Sequence, residues 1–250
     1  MRVPRFLRLA AGILTVALLL AATWSQARAA DGDDDYQPRR RGSQGTRRYN
    51  GWGFLYATPQ RDFKNLAGKG YGLQAHSSGA LDSRGIIRAH TDLSLIYQTN
   101  RDVDVPSSQL TPGDHLSLGT SASMFHILVG PELSMPSGRQ RLYIFGTAGF
   151  ATSWVRQQLS GNINAGTDTY DLQTSKQSNM FAWSAGGGVR IQRTQGVWMD
   201  VSAELRNALE ARMITQDHVS TAGPLVTYGQ GTVDMTQLVF RFAVSRSNRD

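Results

Sequence analysis

Hydrophobic and polar residues alternate with period two in short stretches from Gly51 onward, and no helical periodicity interrupts them. The clearest stretch is 238–244, where Leu238, Phe240, Phe242 and Val244 share one face and polar or small residues take the other. A strand with only one apolar face has a different environment on each of its two sides. Eight such stretches are predicted as strands: 52–58, 70–77, 87–97, 125–135, 142–154, 181–191, 197–205 and 238–244.

The connections between these strands alternate in length. Short or moderate links occupy 79–85, 136–138 and 193–196. The intervening connections are long and polar, and they cover 59–69, 98–115, 158–177 and 207–232. Short turns on one rim and long loops on the other are typical of outer-membrane barrels, and an even strand count returns both ends of the chain to the periplasmic side. The pattern predicts an all-β fold, an eight-stranded antiparallel transmembrane β-barrel.

The faces opposite the apolar stripes carry four acids and four bases. In a soluble barrel of the lipocalin type the apolar faces would point inward, and these charges would be scattered over the surface. In a membrane barrel they would line a narrow lumen, where an unpaired charge costs several kcal/mol and pairing is required. The equal number of acids and bases favours a lumenal charge network, formed by Arg88, Asp92, Glu132, Arg190, Asp200, Glu204, Arg206 and Arg241.

Aromatic residues stand near the strand ends on the apolar faces. Trp and Tyr suit the level of the lipid headgroups, because one end of the side chain is apolar and the other can form a hydrogen bond. The predicted membrane-interface aromatics are Trp52, Tyr71, Tyr97 and Trp154.

The first 29 residues have the three parts of an export signal. Arg2, Arg5 and Arg8 give a basic start, 9–23 is apolar, and the small-x-small sequence 27–29 predicts cleavage near Ala29-Ala30. The following residues up to 50 hold an acidic and then a basic cluster and are predicted to be a disordered lead. The domain prediction is therefore a signal peptide over 1–29, a lead over 30–50 and a barrel over 51–250.

Removing the signal peptide changes the charge. Four of the 26 Lys and Arg residues lie within it while all 19 Asp and Glu residues remain, so the formal charge falls from +7 to +3. That value is too small to indicate a nucleic-acid partner, and export argues against one as well. The chain has no cysteine, which excludes disulfides and thiolate metal sites.

Three glycine-containing motifs resemble the outer-membrane β-barrel domain family of small OmpA-like and OmpW-like proteins. They are Gly130-Pro131-Glu132-Leu133, the aromatic strand 146–150 with its spaced glycines, and Gly186-Gly187-Gly188-Val189-Arg190. The resemblance covers about 51–245. It implies a barrel fold and an outer-membrane location, and it implies no activity.

Candidate catalytic and ligand-binding residues are sparse. The five histidines have no metal-ligand spacing, and His76, His90 and His126 have the parity of the lumenal charges. The glycines at 186–188 lack a following Lys and Ser/Thr, so a bend or the close packing of an aromatic side chain explains them better than phosphate binding. His218 and Ser220, with acidic neighbours, are typical of a soluble loop. We expect no metal, no cofactor and no enzymatic activity.

At eight strands the interior is just wide enough for side chains to fill it. The sequence therefore predicts an integral outer-membrane protein with a plugged polar lumen, long exterior loops and a structural or surface-interaction role. Outer-membrane lipid is the expected partner; any envelope partner and the oligomeric state stay open. The alternatives are a narrow channel for small or hydrophobic solutes, a lipid-modifying barrel enzyme, and a soluble periplasmic carrier barrel.

Overall fold

The computed structural model describes residues 48–137, 139–163, 166–194, 196–222 and 225–248. The predicted signal peptide and nearly all of the predicted lead lie outside these residues. None of the helices in the described ranges is long and apolar enough to cross a membrane. The elements are β1 (Arg48–Pro59), α1 (Arg61–Leu66), β2 (Gly70–Ala80), β3 (Ile87–Asp104), a 3-10 turn (Ser107–Gln109), β4 (His115–Ser137), β5 (Gln140–Ile163), β6 (Asp168–Thr194), β7 (Val197–Ala208), β8 (Ala211–Ala222), β9 (Leu225–Val233) and β10 (Gln237–Asn248).

Eight of these strands form a closed barrel in the order β1-β10-β7-β6-β5-β4-β3-β2. Every pairing is antiparallel, and β1 closes the ring against β10 over the full length of both strands, from Arg48↔Asn248 to Pro59↔Gln237. The eight-stranded antiparallel barrel predicted from the sequence is confirmed, and each predicted strand falls within one barrel strand. Closure leaves the barrel wall without an exposed edge at the level where all eight strands pair.

The barrel has two unlike rims. At the lower rim lie the start of β1, the end of β10, and the short turns after β2, β4 and β6. At the upper rim lie α1, the connection with the 3-10 turn, the β5–β6 turn, and a separate two-stranded sheet of β8 and β9. Short turns at one rim and larger connections at the other are the arrangement of transmembrane barrels.

Part of the prediction of long loops was wrong. Strands β3 to β6 continue well past the predicted strand ends, and β5 and β6 stay paired from Gln140↔Ile191 to Ile163↔Asp168. The predicted loop 207–232 is mostly the β8–β9 hairpin. The alternation continues in these segments, but their apolar residues face inward and their polar residues outward. A polar outer face is the pattern expected above a membrane, where the strand meets water.

We call this upper part the outer extension: residues 98–104 of β3, 115–122 of β4, 155–163 of β5 and 168–179 of β6, the described connections of the upper rim, and the β8–β9 hairpin. Its interior is an apolar core, to which α1 contributes Phe63 and Leu66 and the hairpin contributes Met213, Ile214 and Val219. All five of these side chains are buried. We call the part of the barrel below the outer extension the lower barrel. Its interior is polar and charged instead.

Candidate functional site

The lumen of the lower barrel is organised around two buried carboxylates, and the first is Glu132 on β4. Arg190 binds it with two hydrogen bonds, from Nη1 at 2.6 Å and from Nη2 at 2.8 Å. Arg88 Nε lies 3.4 Å from the same carboxylate, His90 Nδ1 lies 2.9 Å from it, and the Ser78 hydroxyl donates to it at 2.9 Å. The forked geometry of arginine matches a carboxylate, so Glu132 is held by charge-assisted bonds.

The second carboxylate is Asp200 on β7. Arg190 Nε donates to it at 2.9 Å, so one guanidinium joins both carboxylates. Arg241 Nη2 donates at 3.3 Å, and the Tyr143 hydroxyl donates at 2.5 Å. Arg190 also lies over the Tyr143 ring, 4.1 Å from its centroid. These contacts tie β5, β6, β7 and β10 together across the lumen.

A smaller ionic group lies higher in the lumen. Arg206 Nη2 donates to Glu204 at 2.5 Å and to Asp92 at 3.4 Å, and its Nη1 donates to the Ser94 hydroxyl at 2.5 Å. The Gln74 amide donates to Asp92 as well. The structure thus places all eight sequence-predicted charges inside the barrel, each 5% exposed or less, in two groups.

Gly188 has no side chain, and this leaves room for Tyr143. Gly188 pairs with Tyr143 across β5 and β6, and a Cβ on Gly188 would lie 2.7 Å from the Tyr143 hydroxyl. Such a distance is too short for a real contact, so a larger residue there would push Tyr143 away from Asp200. At Gly188, the interpretation of close packing of an aromatic side chain fits this geometry.

The predicted charge network lacks several residues of the lower lumen. Tyr143 and His76 have inward parity but were not placed in the charge network. Arg141 and Tyr49 lie just outside the predicted strands, and Trp198 was not singled out. All five are buried. Extending the alternation of β5 by one residue toward its start would have found Arg141, and extending that of the first strand by three residues would have found Tyr49.

The hairpin covers the upper mouth of the barrel. The side-chain amide of Gln157 on β5 donates to the Ile214 carbonyl at 2.7 Å and accepts from the Ile214 N–H at 2.7 Å, as a neighbouring strand would. On the other side, the Thr111 N–H donates to the Thr221 hydroxyl at 2.7 Å. Since these contacts fix β8 to β5 and to the β3–β4 connection, the apolar core below the hairpin is closed from above.

The outer surface of the lower barrel is apolar on every side. Large hydrophobic residues point outward along all the barrel strands, with Phe150 74% exposed. Soluble monomers rarely expose a continuous apolar surface of more than a few hundred Å². An apolar exterior around a charged interior is the inverse of a soluble barrel and the arrangement that hydrocarbon requires. The chain is an eight-stranded β-barrel with the polarity of a transmembrane barrel. We call this outer surface the apolar belt. Its exposed, outward residues include Trp52, Phe54, Leu73, Ile127, Val129, Met135, Leu142, Ile144, Phe181, Phe242 and Val244.

The sequence-predicted interface aromatics all point outward. Tyr71, Tyr97, Ser123 and Trp154 are aligned by the strand register in one row across β2 to β5. Above this row the outward residues turn polar. Trp52 lies toward the lower rim and is 63% exposed. Their place at the limits of the apolar belt supports the interface assignment, which stays a prediction.

Similar solved structures are outer-membrane proteins. The outer membrane protein OprG of Pseudomonas aeruginosa shares 10% identity with a TM-score of 0.47, over 85% of this chain and 100% of that one. A major outer membrane protein of Thermus thermophilus shares 8% with a TM-score of 0.49, and the attachment invasion locus protein Ail of Yersinia pestis shares 9% with a TM-score of 0.45; both cover 82% of this chain and 100% of their own. No family model and no curated protein matches the sequence. The fold assignment rests on this chain's own strand order and polarity.

The residues weighed for catalysis have other partners. His218 Nδ1 lies 2.6 Å from the Thr215 hydroxyl, and the Ser220 hydroxyl lies 2.8 Å from that of Thr227. Both contacts are local to the exposed hairpin. Among the described residues, no group of His, Cys, Asp and Glu side chains is arranged to hold a metal ion.

Proposed function

We propose that this protein is a closed outer-membrane barrel that stabilises the envelope and presents a folded surface to the exterior, without transport or catalysis. The observation that carries the proposal is the filling of the lumen at three levels. Guanidinium and carboxylate groups fill the lower part, polar side chains around Arg206 fill the middle, and apolar side chains beneath the hairpin fill the top. An ion would have to pass a charged level, a polar level and an apolar level in turn.

The outer extension supports a role at the surface. Its strands and hairpin share a buried core that includes Leu118, Leu159 and Met213, each 1% exposed. A segment with its own core keeps a defined outer face, whereas mobile loops do not. The polar outward residues of β4 to β6 therefore form a rigid external surface on which an envelope or extracellular partner would bind.

Conductance across a planar bilayer tests the closed lumen. We expect the reconstituted protein to show no stable, discrete conductance. A variant without residues 211–233 should stay silent, because the charged layer below still fills the barrel. Its folding is checked independently by the difference in gel migration between unheated and heated samples. Discrete channels in the full-length protein would overturn the closed-barrel proposal and favour the solute channel. Carbonate extraction of the protein from isolated membranes would overturn the membrane assignment.

A further inference from the structure

Three tyrosines lie side by side on the outer surface, at the upper limit of the apolar belt. The strand register pairs Tyr56 with Tyr71 and Tyr71 with Tyr97, on the adjacent strands β1, β2 and β3. The ring centroids of Tyr56 and Tyr71 are 5.6 Å apart, and Tyr71 and Tyr97 are 57% and 52% exposed. We call these three residues the tyrosine row.

The tyrosine row continues the apolar belt upward. Two residues below each tyrosine, on the same strand and the same face, lie Phe54, Leu73 and Leu95, and all three are exposed. Successive side chains on one face of a strand are about 7 Å apart. A lipid whose acyl chains lie along these apolar residues therefore has its headgroup at the level of the tyrosines or just above them.

The connection between β1 and β2 adds positive charge above the tyrosine row. Residues 60–69, which we call the basic connection, contain one acid and three bases: Asp62, Arg61, Lys64 and Lys69. All four of these residues are exposed. The connection between β3 and β4 has one acid and no base. The excess of positive charge is therefore a feature of the connection that lies beside the tyrosines.

Lys69 stands directly above the tyrosine row. It precedes Tyr71 by two residues, with the buried Gly70 between them, so Lys69 and Tyr71 share the outer face. The Lys69 carbonyl accepts a hydrogen bond from the Thr99 N–H at 2.9 Å. Since this bond continues the pairing of β2 with β3, the backbone fixes Lys69 about 7 Å above Tyr71.

The helix α1 presents the other two bases. Phe63 and Leu66 are buried in the apolar core, which leaves Arg61 and Lys64 on the outer side of α1. Arg61 has a φ of +51°, a conformation that residues with a Cβ rarely adopt. Glycine or asparagine would suit this backbone better. A role of the guanidinium therefore explains the arginine better than the turn does.

We infer that the tyrosine row and the basic connection form a binding site for the phosphate group of a membrane lipid. The acyl chains of this lipid lie on the apolar belt, and the tyrosine side chains contact the glycerol region, since each has an apolar ring and a polar hydroxyl. The bases of the basic connection bind the phosphate oxygens. This inference rests on the proposed envelope role and names the partner for it.

Native mass spectrometry of the folded protein in an uncharged detergent measures the binding. The probes are phosphatidylglycerol and galactosyl diacylglycerol, which have the same acyl chains, whereas the second has a sugar and no phosphate. We expect the wild type to bind phosphatidylglycerol about tenfold more tightly, because Lys and Arg side chains near a membrane surface attract anionic headgroups. The Lys64→Gln, Lys69→Gln double variant should lose most of this preference. Asp62→Asn, which removes the one acid of the basic connection, should increase it.

A Lys176→Gln, Arg212→Gln double variant is the matched control. It also removes two exposed positive charges from the outer extension, but Lys176 donates to Gln230 on the hairpin and Arg212 lies on β8. We expect this control to keep the wild-type preference. The difference in gel migration between unheated and heated samples shows that each variant is folded. Excess inorganic phosphate should not release the lipid, because the site also holds the acyl chains.

Three outcomes would overturn the lipid site. They are equal binding of the two lipids by the wild type, an equal loss of preference in both double variants, and release of the lipid by inorganic phosphate. The last outcome would mean that the bases recognise a free anion. Discrete conductance would overturn the closed lumen and leave the lipid preference unchanged, so failure of the proposed function is distinguishable from failure of this site.

Discussion

Strand β4 passes through two regions that have opposite polarity. In the lower barrel, Ile127 and Val129 point outward and are exposed, while Glu132 points inward and is fully buried. In the outer extension the inward side chains are Leu116 and Leu118, and the outward ones are polar or small. The alternation of the strand is unbroken, so local backbone preference does not explain the reversal. The medium outside the wall decides which face is apolar: hydrocarbon below and water above.

The two regions are also stabilised differently. The apolar face of the lower barrel meets lipid, and its interior is joined by charge-assisted hydrogen bonds among Glu132, Asp200 and three arginines. The outer extension buries an apolar core in the usual manner of a soluble domain. Loss of a partner should therefore be most damaging in the lower interior, where an unpaired charge has no access to water.

Glu132→Ala should have the largest effect. It removes the carboxylate that Arg190, Arg88, His90 and Ser78 share, so these buried groups lose their common partner. Breaking one partner of a buried ion pair costs about 3–5 kcal/mol. Urea unfolding in detergent micelles measures the loss. Asp171→Ala, an exposed acid of the outer extension, is the control and should unfold like the wild type. Unchanged urea resistance of Glu132→Ala would refute the structural role of the network.

Leu118→Ala tests the core of the outer extension. Truncating a buried leucine costs about 2–5 kcal/mol, depending on how well the site collapses. Because Leu118 packs above the membrane, we expect proteases added outside to cut the outer extension faster while the heat-dependent gel shift of the barrel persists. Ser117→Ala, the outward neighbour, should leave cleavage unchanged. Loss of the gel shift in Leu118→Ala would mean that the two regions fold as one unit.

A pair of lysine substitutions on the outer face of β4 tests the polarity reversal itself. Val129→Lys places a charge in the apolar belt, midway between Ser123 and Met135, and should cost about 2–4 kcal/mol. Ser121→Lys places the same charge on the same face above the aromatic row and should change stability by about 0.5 kcal/mol or less. Urea midpoints of the folded proteins in lipid vesicles give the comparison. Equal effects would mean that the membrane boundary lies elsewhere.

The sequence predicted the lower barrel much better than the outer extension. In the lower barrel, hydrocarbon requires the outer face of every strand to be apolar. Eight strands and eight inward charges could therefore be assigned from the alternation of the sequence. In the outer extension, polar residues such as Gln158 and Lys176 led to the prediction of a loop. The apolar residues on the opposite face of the same strands were not recognised as an inward-facing core. The docking of β8 through Gln157 has no local signal at all, since it depends on which strands the fold brings together.

Gln157→Ala tests that docking. The variant leaves the N–H and carbonyl of Ile214 without the partners they have in a buried position, and each such group costs about 1–3 kcal/mol. We expect the hairpin to open more often and to be cut by protease several-fold faster. Gln158→Ala is the matched control, because Gln158 is the next residue and points outward to Asp171 at 3.1 Å. If both variants are cut at the wild-type rate, other contacts hold the hairpin.

Lys176→Ala should have the smallest effect, although Lys176 also contacts the hairpin. Its Nζ donates to Gln230 Oε1 at 2.6 Å, but both residues are exposed. Water replaces a lost partner at an exposed position, so we expect a change of about 0.5 kcal/mol or less and nearly unchanged cleavage in the same protease assay. The hairpin thus contacts β5 through the buried amide of Gln157 and β6 through this exposed hydrogen bond. Cleavage of Lys176→Ala as fast as that of Gln157→Ala would show that the exposed edge, and not the buried amide of Gln157, holds the hairpin over the lumen.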